Sequence, residues 1–220
     1  MSDRPFASAH ALVADNVSVR RGERAILEGL SFRVEAGKAL ILTGANGSGK
    51  TTLLRAIAGF LPLAAGHIVL DGIGDDQPVA SRAHVVGHLD GLKRQSTARD
   101  NLAFWAAYLG GDRSGAGIVA AMDAMGLANL AEFPAGDLSA GQKRRLGLAR
   151  LLVARRPLWL LDEPTVSLDT HSVGLLVAAM KAHLADGGLV VVATHVALEL
   201  AGARELRLGE ARVAAPGAVP

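Results

Sequence analysis

The residues best placed to do chemistry in this 220-residue chain are Gly44-Ala45-Asn46-Gly47-Ser48-Gly49-Lys50-Thr51-Thr52. Gly44, Gly49, Lys50 and Thr51 fit the pattern G-x-x-x-x-G-K-[ST], a phosphate-binding loop. Glycines without a Cβ let the backbone curl until successive N–H groups point at phosphate oxygens. Lys50 brings a point charge that reaches β- and γ-phosphates, and the Thr51 hydroxyl can ligate Mg²⁺. Asn46, Gly47, Ser48 and Thr52 complete the set. The loop follows an apolar run, Ala39-Leu40-Ile41-Leu42, and precedes Leu53 to Ala58, which reads as a helix whose N-terminus favours an anion. The stretch therefore predicts binding of a nucleoside triphosphate, ATP with Mg²⁺.

Leu158-Trp159-Leu160-Leu161-Asp162-Glu163 is the second nucleotide element. A hydrophobic strand that ends in two acids presents them at the carboxyl edge of a sheet, beside such a loop. Asp162 is expected to hold Mg²⁺, directly or through water, and Glu163 to polarise the attacking water. A third segment, Leu138-Ser139-Ala140-Gly141-Gln142, opens a helix, so Ser139 and the N–H of Gly141 form a second anion site.

At these residues the chain resembles the ABC-transporter ATPase subunits, whose signature reads Leu-Ser-Gly-Gly-Gln or a close variant; Ala140 is a mild departure. The order of motifs matches along nearly the whole chain, through Pro164, Ser167-Leu168-Asp169 and Thr194-His195. The resemblance implies an α/β fold with a mainly parallel RecA-like sheet, an N-terminal antiparallel β subdomain and an inserted helical subdomain. It also implies a head-to-tail homodimer with two ATPs between the copies. Ser139 and Gly141 of one chain then meet the ATP held by Lys50, Thr51, Thr52 and Asp162 of the other. Asp169 matches the dimer-contact loop of the family, and His195 the switch histidine that contacts the γ-phosphate.

Two family positions depart. The adenine-stacking aromatic is replaced by Arg21, whose guanidinium plane can also stack on a base. The glutamine that touches Mg²⁺ and water at the end of the strand before the helical lobe is absent. His88 and Leu89 occupy that region, and Gln95 lies too far along. His88 either deputises or is a strand histidine without that role.

These groups need elements to position them. Residues 11 to 35 read as two strands around a turn at Arg21-Gly22-Glu23, and Gly66 to Asp71 as another strand closed by a turn at Gly72. A loop over 72 to 82 leads to a strand at Ala83 to His88. Thr97-x-x-Asp100 opens a helix through Leu102, Phe104, Trp105 and Tyr108 that ends at Gly110-Gly111. Residues 116 to 126 form a further helix, and Gln142 to Ala154 another. Helix 170–184 and strand Leu189 to Ala193 follow. Strand–helix alternation with apolar strands predicts a parallel sheet covered on both faces. The expected organisation is one ABC ATP-binding domain over 1–220, its core at about 8–89 and 155–213, its helical subdomain at about 90–154, and a flexible tail at 214–220. Phe104, Trp105 and Tyr108 read as core of the helical lobe, or alternatively as the rim of a groove that receives a helix of a membrane subunit. Lys143, Arg144, Arg145 and Arg150 read as a solvated helix face, with phosphate contacts as the alternative.

Composition narrows the classes. Half the residues are hydrophobic, enough for a sizeable core, and the net charge of +2 gives no argument for a nucleic-acid partner. The absence of Cys excludes disulfides and thiolate metal sites and fits a reducing compartment. Asp3 and Arg4 break any secretory signal. No apolar run approaches the roughly 18 residues of a membrane helix. A membrane link is therefore expected through integral transporter subunits. Within the family, Val86 to Lys93, Leu138 to Leu152 and Leu158 to Pro164 are similar to the ATP-binding subunits of haem exporters in cytochrome c maturation. That likeness implies ATP hydrolysis at the cytoplasmic face of the bacterial inner membrane, with an indirect link to haem. Another exporter of drugs, peptides or lipids, a soluble ABC ATPase, a phosphoryl kinase and a non-enzymatic nucleotide-binding adaptor are the other readings.

Overall fold

The computed structural model describes residues 11–72, 78–111 and 115–209. The tail expected to fray lies outside them, as does 73–77 of the expected loop. Strands β1 (Ala11–Arg21), β2 (Arg24–Glu35) and β3 (Ala39–Thr43) precede helix α1 (Lys50–Ile57), followed by β4 (Ala65–Asp71) and β5 (Ala83–Val86). Helices α2 (Ala98–Leu109), α3 (Gly115–Ala124) and α4 (Ala140–Val153) come next. Then come β6 (Leu158–Asp162), α5 (Thr170–Ala185), β7 (Leu189–Ala193) and β8 (Arg204–Arg207). β2, β1 and β4 form an antiparallel sheet, and five parallel strands stand in the order β5-β6-β7-β3-β8.

The two faces of the parallel sheet explain the apolar runs. Every residue of β6 and β7 is buried, as expected for strands covered on both sides. Side chains alternate along a strand. Trp159, Leu161, Val190 and Val192 accordingly join the core beneath α2 to α5, with Leu102, Met122, Leu146 and Met180. Leu158, Leu160, Val191 and Ala193 join the other core with Leu53, Leu54 and Ile57 of α1 and Leu12, Val17 and Val34 of the antiparallel sheet. The phosphate-binding loop, at the end of β3, therefore sits between two packed layers.

Helix starts follow their capping residues. The Thr97 hydroxyl accepts from the Asp100 N–H at 3.0 Å, and Gly110 closes α2 at φ 71°. Ser139 and Gln142 cap α4 reciprocally: the Ser139 N–H donates to Gln142 Oε1 at 2.8 Å, and the Gln142 N–H to Ser139 Oγ at 3.2 Å. Asp169 caps α5 by accepting from the Ser172 N–H at 2.7 Å, a bond that holds its carboxyl below the usual range.

Two surface expectations are corrected. The basic residues of α4 are not a solvated face. Arg144 and Arg150 are 4% and 7% exposed, because the loops and strand ends around them leave carbonyls that need donors. Arg150 donates to Val85 O at 2.7 Å and covers the Trp105 ring at 4.8 Å; burial lowers its pKa to about 10. Lys143 donates to Gly136 O at 2.7 Å, and Arg145 to Met125 O and Gly126 O at 2.8 and 2.9 Å. The aromatic trio of α2 is not a core cluster either. Phe104 and Tyr108 are 57% and 72% exposed, since α2 buries Ala98, Leu102 and Ala106 instead; only Trp105 leans on the core.

Two buried histidines tie stability to pH. His183 stacks on Trp159 with centroids 4.1 Å apart, and its Nε2 lies 3.2 Å from Pro157 O; His84 Nε2 lies 2.8 Å from Ala154 O. Burial lowers both pKa values to about 4. An unfolded histidine titrates near 6.5, so below that pH the unfolded chain takes up protons that the fold refuses. Stability is whole above about pH 6.5 and is lost as pH falls toward 4. From pH 7 to 5 each histidine should cost about 2 kcal/mol, read as a lower urea midpoint that His84→Gln and His183→Gln make less pH-dependent. A midpoint equal at both pH values would oppose this.

Candidate functional site

The site begins where β3 hands the chain to α1. Gly49, the residue before α1, has φ 102° and its helix start carries no side-chain cap, so the first N–H groups of α1 are left for an external acceptor. Gly44 has φ 129°, and a Cβ there would lie 2.3 Å from Leu208 O, so the loop turns only with glycine at this position. Lys50 is 8% exposed and folds back over the loop, donating to Gly44 O at 2.6 Å and Ala45 O at 3.2 Å. An ammonium has three donors, so one proton remains.

β6 brings the acids to the same place. The Thr51 hydroxyl donates to Asp162 Oδ2 at 2.8 Å, and His88 Nε2 lies 3.7 Å from that oxygen. Glu163 follows with φ 46°, a left-handed conformation that costs energy in a non-glycine residue. Its backbone is held on both sides: its N–H donates to Ala193 O at 2.8 Å, and its carbonyl accepts from Arg144 Nη2 at 2.9 Å. Its carboxylate points to the end of β7, where His195 Nε2 lies 3.2 Å from Glu163 Oε1. Thr194, next to that histidine, is tied by the Val196 N–H, which donates to its hydroxyl at 3.0 Å.

Arg144 is the functional residue that sequence reading missed. From α4 it donates to Gly87 O at 2.8 Å, Asp90 Oδ1 at 3.0 Å, Pro164 O at 3.2 Å and Glu163 O at 2.9 Å. One planar cation thus joins the helix behind Ser139, the segment carrying His88 and the end of β6. A guanidinium suits that task because its donors have a fixed planar geometry.

A cavity of about 750 Å³ gathers most of the expected set. Arg21, Asn46, Gly47, Gly49, Lys50, Thr51, Thr52, His88, Asp162 and Glu163 line it, with Val19, Ile26 and Leu61 as apolar wall. Gly44 and Ser48 stand outside its lining; a Cβ on Gly44 would lie 2.9 Å from Ser48 Oγ, a buried hydroxyl with no hydrogen-bond partner. Ser139, Gly141, Asp169 and His195 do not line it. Gly141 packs against the loop after β6, where a Cβ would lie 2.9 Å from Ser167 O. His88 also lines a neighbouring groove of about 720 Å³ walled by Leu89, Leu92, Lys93 and Phe104.

The donor set suits a magnesium triphosphate. Thr51 and Asp162 offer the hard oxygens Mg²⁺ selects, and Lys50 with the uncapped start of α1 offers positive charge to phosphate. The volume falls within the roughly 300–1,000 Å³ of small-molecule sites. Among the described residues no three His, Asp or Glu side chains gather into a metal site made of protein alone.

A phosphate loop at the end of a parallel strand, an acid pair at the end of a second strand one place beyond its neighbour in the same sheet, and a helical segment opened by Ser139 define an ATP-binding cassette. Residues 27–166 match the ABC transporter family, and the chain belongs to it. Among its relatives is the cytochrome c biogenesis ATP-binding export protein CcmA of Rhodopseudomonas palustris strain BisB5. The two are 53% identical over 191 residues, which cover 87% of this chain and 94% of the relative. The protein of the same name from Paracoccus denitrificans is 51% identical over 91% of this chain and 90% of its own length. A bacterial Atm1-family ABC exporter with ATP bound superposes with a TM-score of 0.78 at 27% identity, covering 92% of this chain and 38% of that one. The ATP-binding subunit of an ABC transporter superposes at 0.75 with 23% identity, over 84% and 79% of the two chains, a likeness of fold.

Proposed function

We propose that this chain is the ATP-hydrolysing subunit of a membrane transporter complex that serves cytochrome c biogenesis, moving or releasing haem. The observation that carries the reading is the division of its polar groups. Lys50, Thr51, Asp162 and Glu163 converge on one cavity, whereas Ser139 and Gly141, a second anion site on the same chain, stand away from it. Two copies arranged head to tail bring the two halves together, with Asp169 at the contact. The names of relatives about half identical over nearly their full length supply the biological setting.

In the proposed cycle Lys50 and the N–H groups of Gly47, Gly49, Thr51 and Thr52 bind the phosphates. Arg21 stacks on the base, and Asn46 and Ser48 shape the loop. Thr51 and Asp162 hold Mg²⁺, which when bound neutralises charge on the β- and γ-phosphate oxygens. Glu163 accepts a hydrogen bond from the attacking water and aligns it for in-line attack. His195 donates to the γ-phosphate, and Ser139 and Gly141 of the second copy close the site from the opposite side. Hydrolysis removes the bond between the copies through the γ-phosphate and lets them separate. The core at about 8–89 and 155–213 carries the nucleotide, and the helical region at about 90–154 meets the integral membrane subunits in the groove beside Phe104. No helix among the described residues is long and apolar enough to cross a membrane. Attachment to the cytoplasmic face of the inner membrane therefore runs through those subunits.

Affinity purification of the full chain from detergent-solubilised membranes tests this. The expected result is recovery of integral subunits whose deletion abolishes c-type cytochromes. Recovery of subunits whose loss leaves cytochromes c intact would overturn the haem assignment. Recovery of no integral subunit would overturn the transporter reading.

A further inference from the structure

His88 is the one side chain beside the Thr51–Asp162 pair that the family pattern does not account for. β5 ends at Val86, so His88 stands just past the strand, in the lining of the nucleotide cavity, with Nε2 3.7 Å from Asp162 Oδ2 and a side chain 65% exposed. Thr51 Oγ1 lies 2.8 Å from the same oxygen. Neighbouring ligands on an octahedral ion with bonds of ~2.1 Å are ~3.0 Å apart. Thr51 and Asp162 already have that spacing. His88 Nε2 lies ~0.7 Å beyond it from Asp162 Oδ2, on a mostly exposed side chain.

We infer that His88 supplies an imidazole nitrogen to the divalent ion of the nucleotide site, so that this cassette favours nitrogen-accepting ions such as Mn²⁺ more than an all-oxygen site does. The inference rests on the proposed reading of the site as a metal–nucleotide site. Imidazole is a softer donor than an amide or water oxygen and suits ions later in the first transition row, whereas Mg²⁺ prefers oxygen. Among the described residues no other His shares the lining of this cavity; His195 faces Glu163 instead.

The full chain is loaded with Mn²⁺ and β,γ-methylene ATP, which is not hydrolysed and has no nitrogen in its phosphate chain. Pulsed electron paramagnetic resonance then reads the nuclei bound to the ion. The expected spectrum holds ³¹P coupling from the phosphates and ¹⁴N coupling from His88. Histidine labelled with ¹⁵N converts the nitrogen signal to its ¹⁵N form. His88→Ala removes the nitrogen signal and keeps the phosphorus one, which also shows that the variant folds and binds; His67→Ala, at an exposed position of β4 outside the cavity lining, keeps both. In nucleotide titrations His88→Gln lowers the preference for Mn²⁺ over Mg²⁺ several-fold. Phosphorus coupling without histidine nitrogen, or a nitrogen signal that survives His88→Ala, overturns the inference and leaves the site reading intact. Absence of both couplings overturns the site reading itself.

Discussion

Glu163→Gln is expected to retain triphosphate binding while turnover falls about 10²–10⁴-fold, the usual contribution of a positioned acid–base group. Glutamine matches glutamate in size, and the awkward backbone at φ 46° is clamped from outside the side chain, by Ala193 O on its N–H and Arg144 on its carbonyl. The change therefore removes the carboxylate charge that faces His195 at 3.2 Å while leaving the end of β6 in place. Phosphate release measured with the membrane subunits, beside a nucleotide titration, separates the two quantities. Wild-type turnover in this variant would remove Glu163 from the mechanism.

Lys50→Ala is expected to weaken nucleotide binding about 10- to 100-fold. Hydrogen bonds to a charged group contribute about 1.5–3 kcal/mol, and each 1.4 kcal/mol is tenfold in affinity. Among the described residues the Lys50 ammonium is the buried cation of the cavity lining, held over the phosphate loop by Gly44 O and Ala45 O. Arg20, Arg21 and Arg55 in the same lining lie toward its outer wall, at exposed positions, and replace it poorly. A fluorescent-nucleotide titration reads the effect, and a thermal melt checks that the loop still folds. Unchanged affinity would count against the role of Lys50.

Much of this arrangement was legible in the chain. The loop at 44–52 has fixed spacing, β6 up to Asp162 and β7 throughout are apolar runs, and Thr97, Ser139 and Asp169 are side chains whose caps depend on residues three positions away. Local chemistry announces itself locally. β8 was not foreseen because Arg-Glu-Leu-Arg is an edge strand with three exposed residues and carries no apolar signature. Phe104 and Tyr108 were misjudged because aromatic residues usually earn burial, whereas α2 packs through its alanines and Leu102. The arginines of α4 were misjudged for another reason: their partners are backbone carbonyls at 85, 87, 126, 163 and 164, which no side-chain pattern records. His88 was seen but not placed, since its meaning depends on β5 stopping at Val86.

The grip of Arg144 has a mechanical corollary. A rigid guanidinium with acceptors on two separate chain segments behaves as a pinned joint: a tilt of α4 pulls on the peptide that bears Glu163 and on the turn that bears His88. Tension applied along that helix therefore reaches the backbone of Glu163 and the segment of His88 through a single side chain.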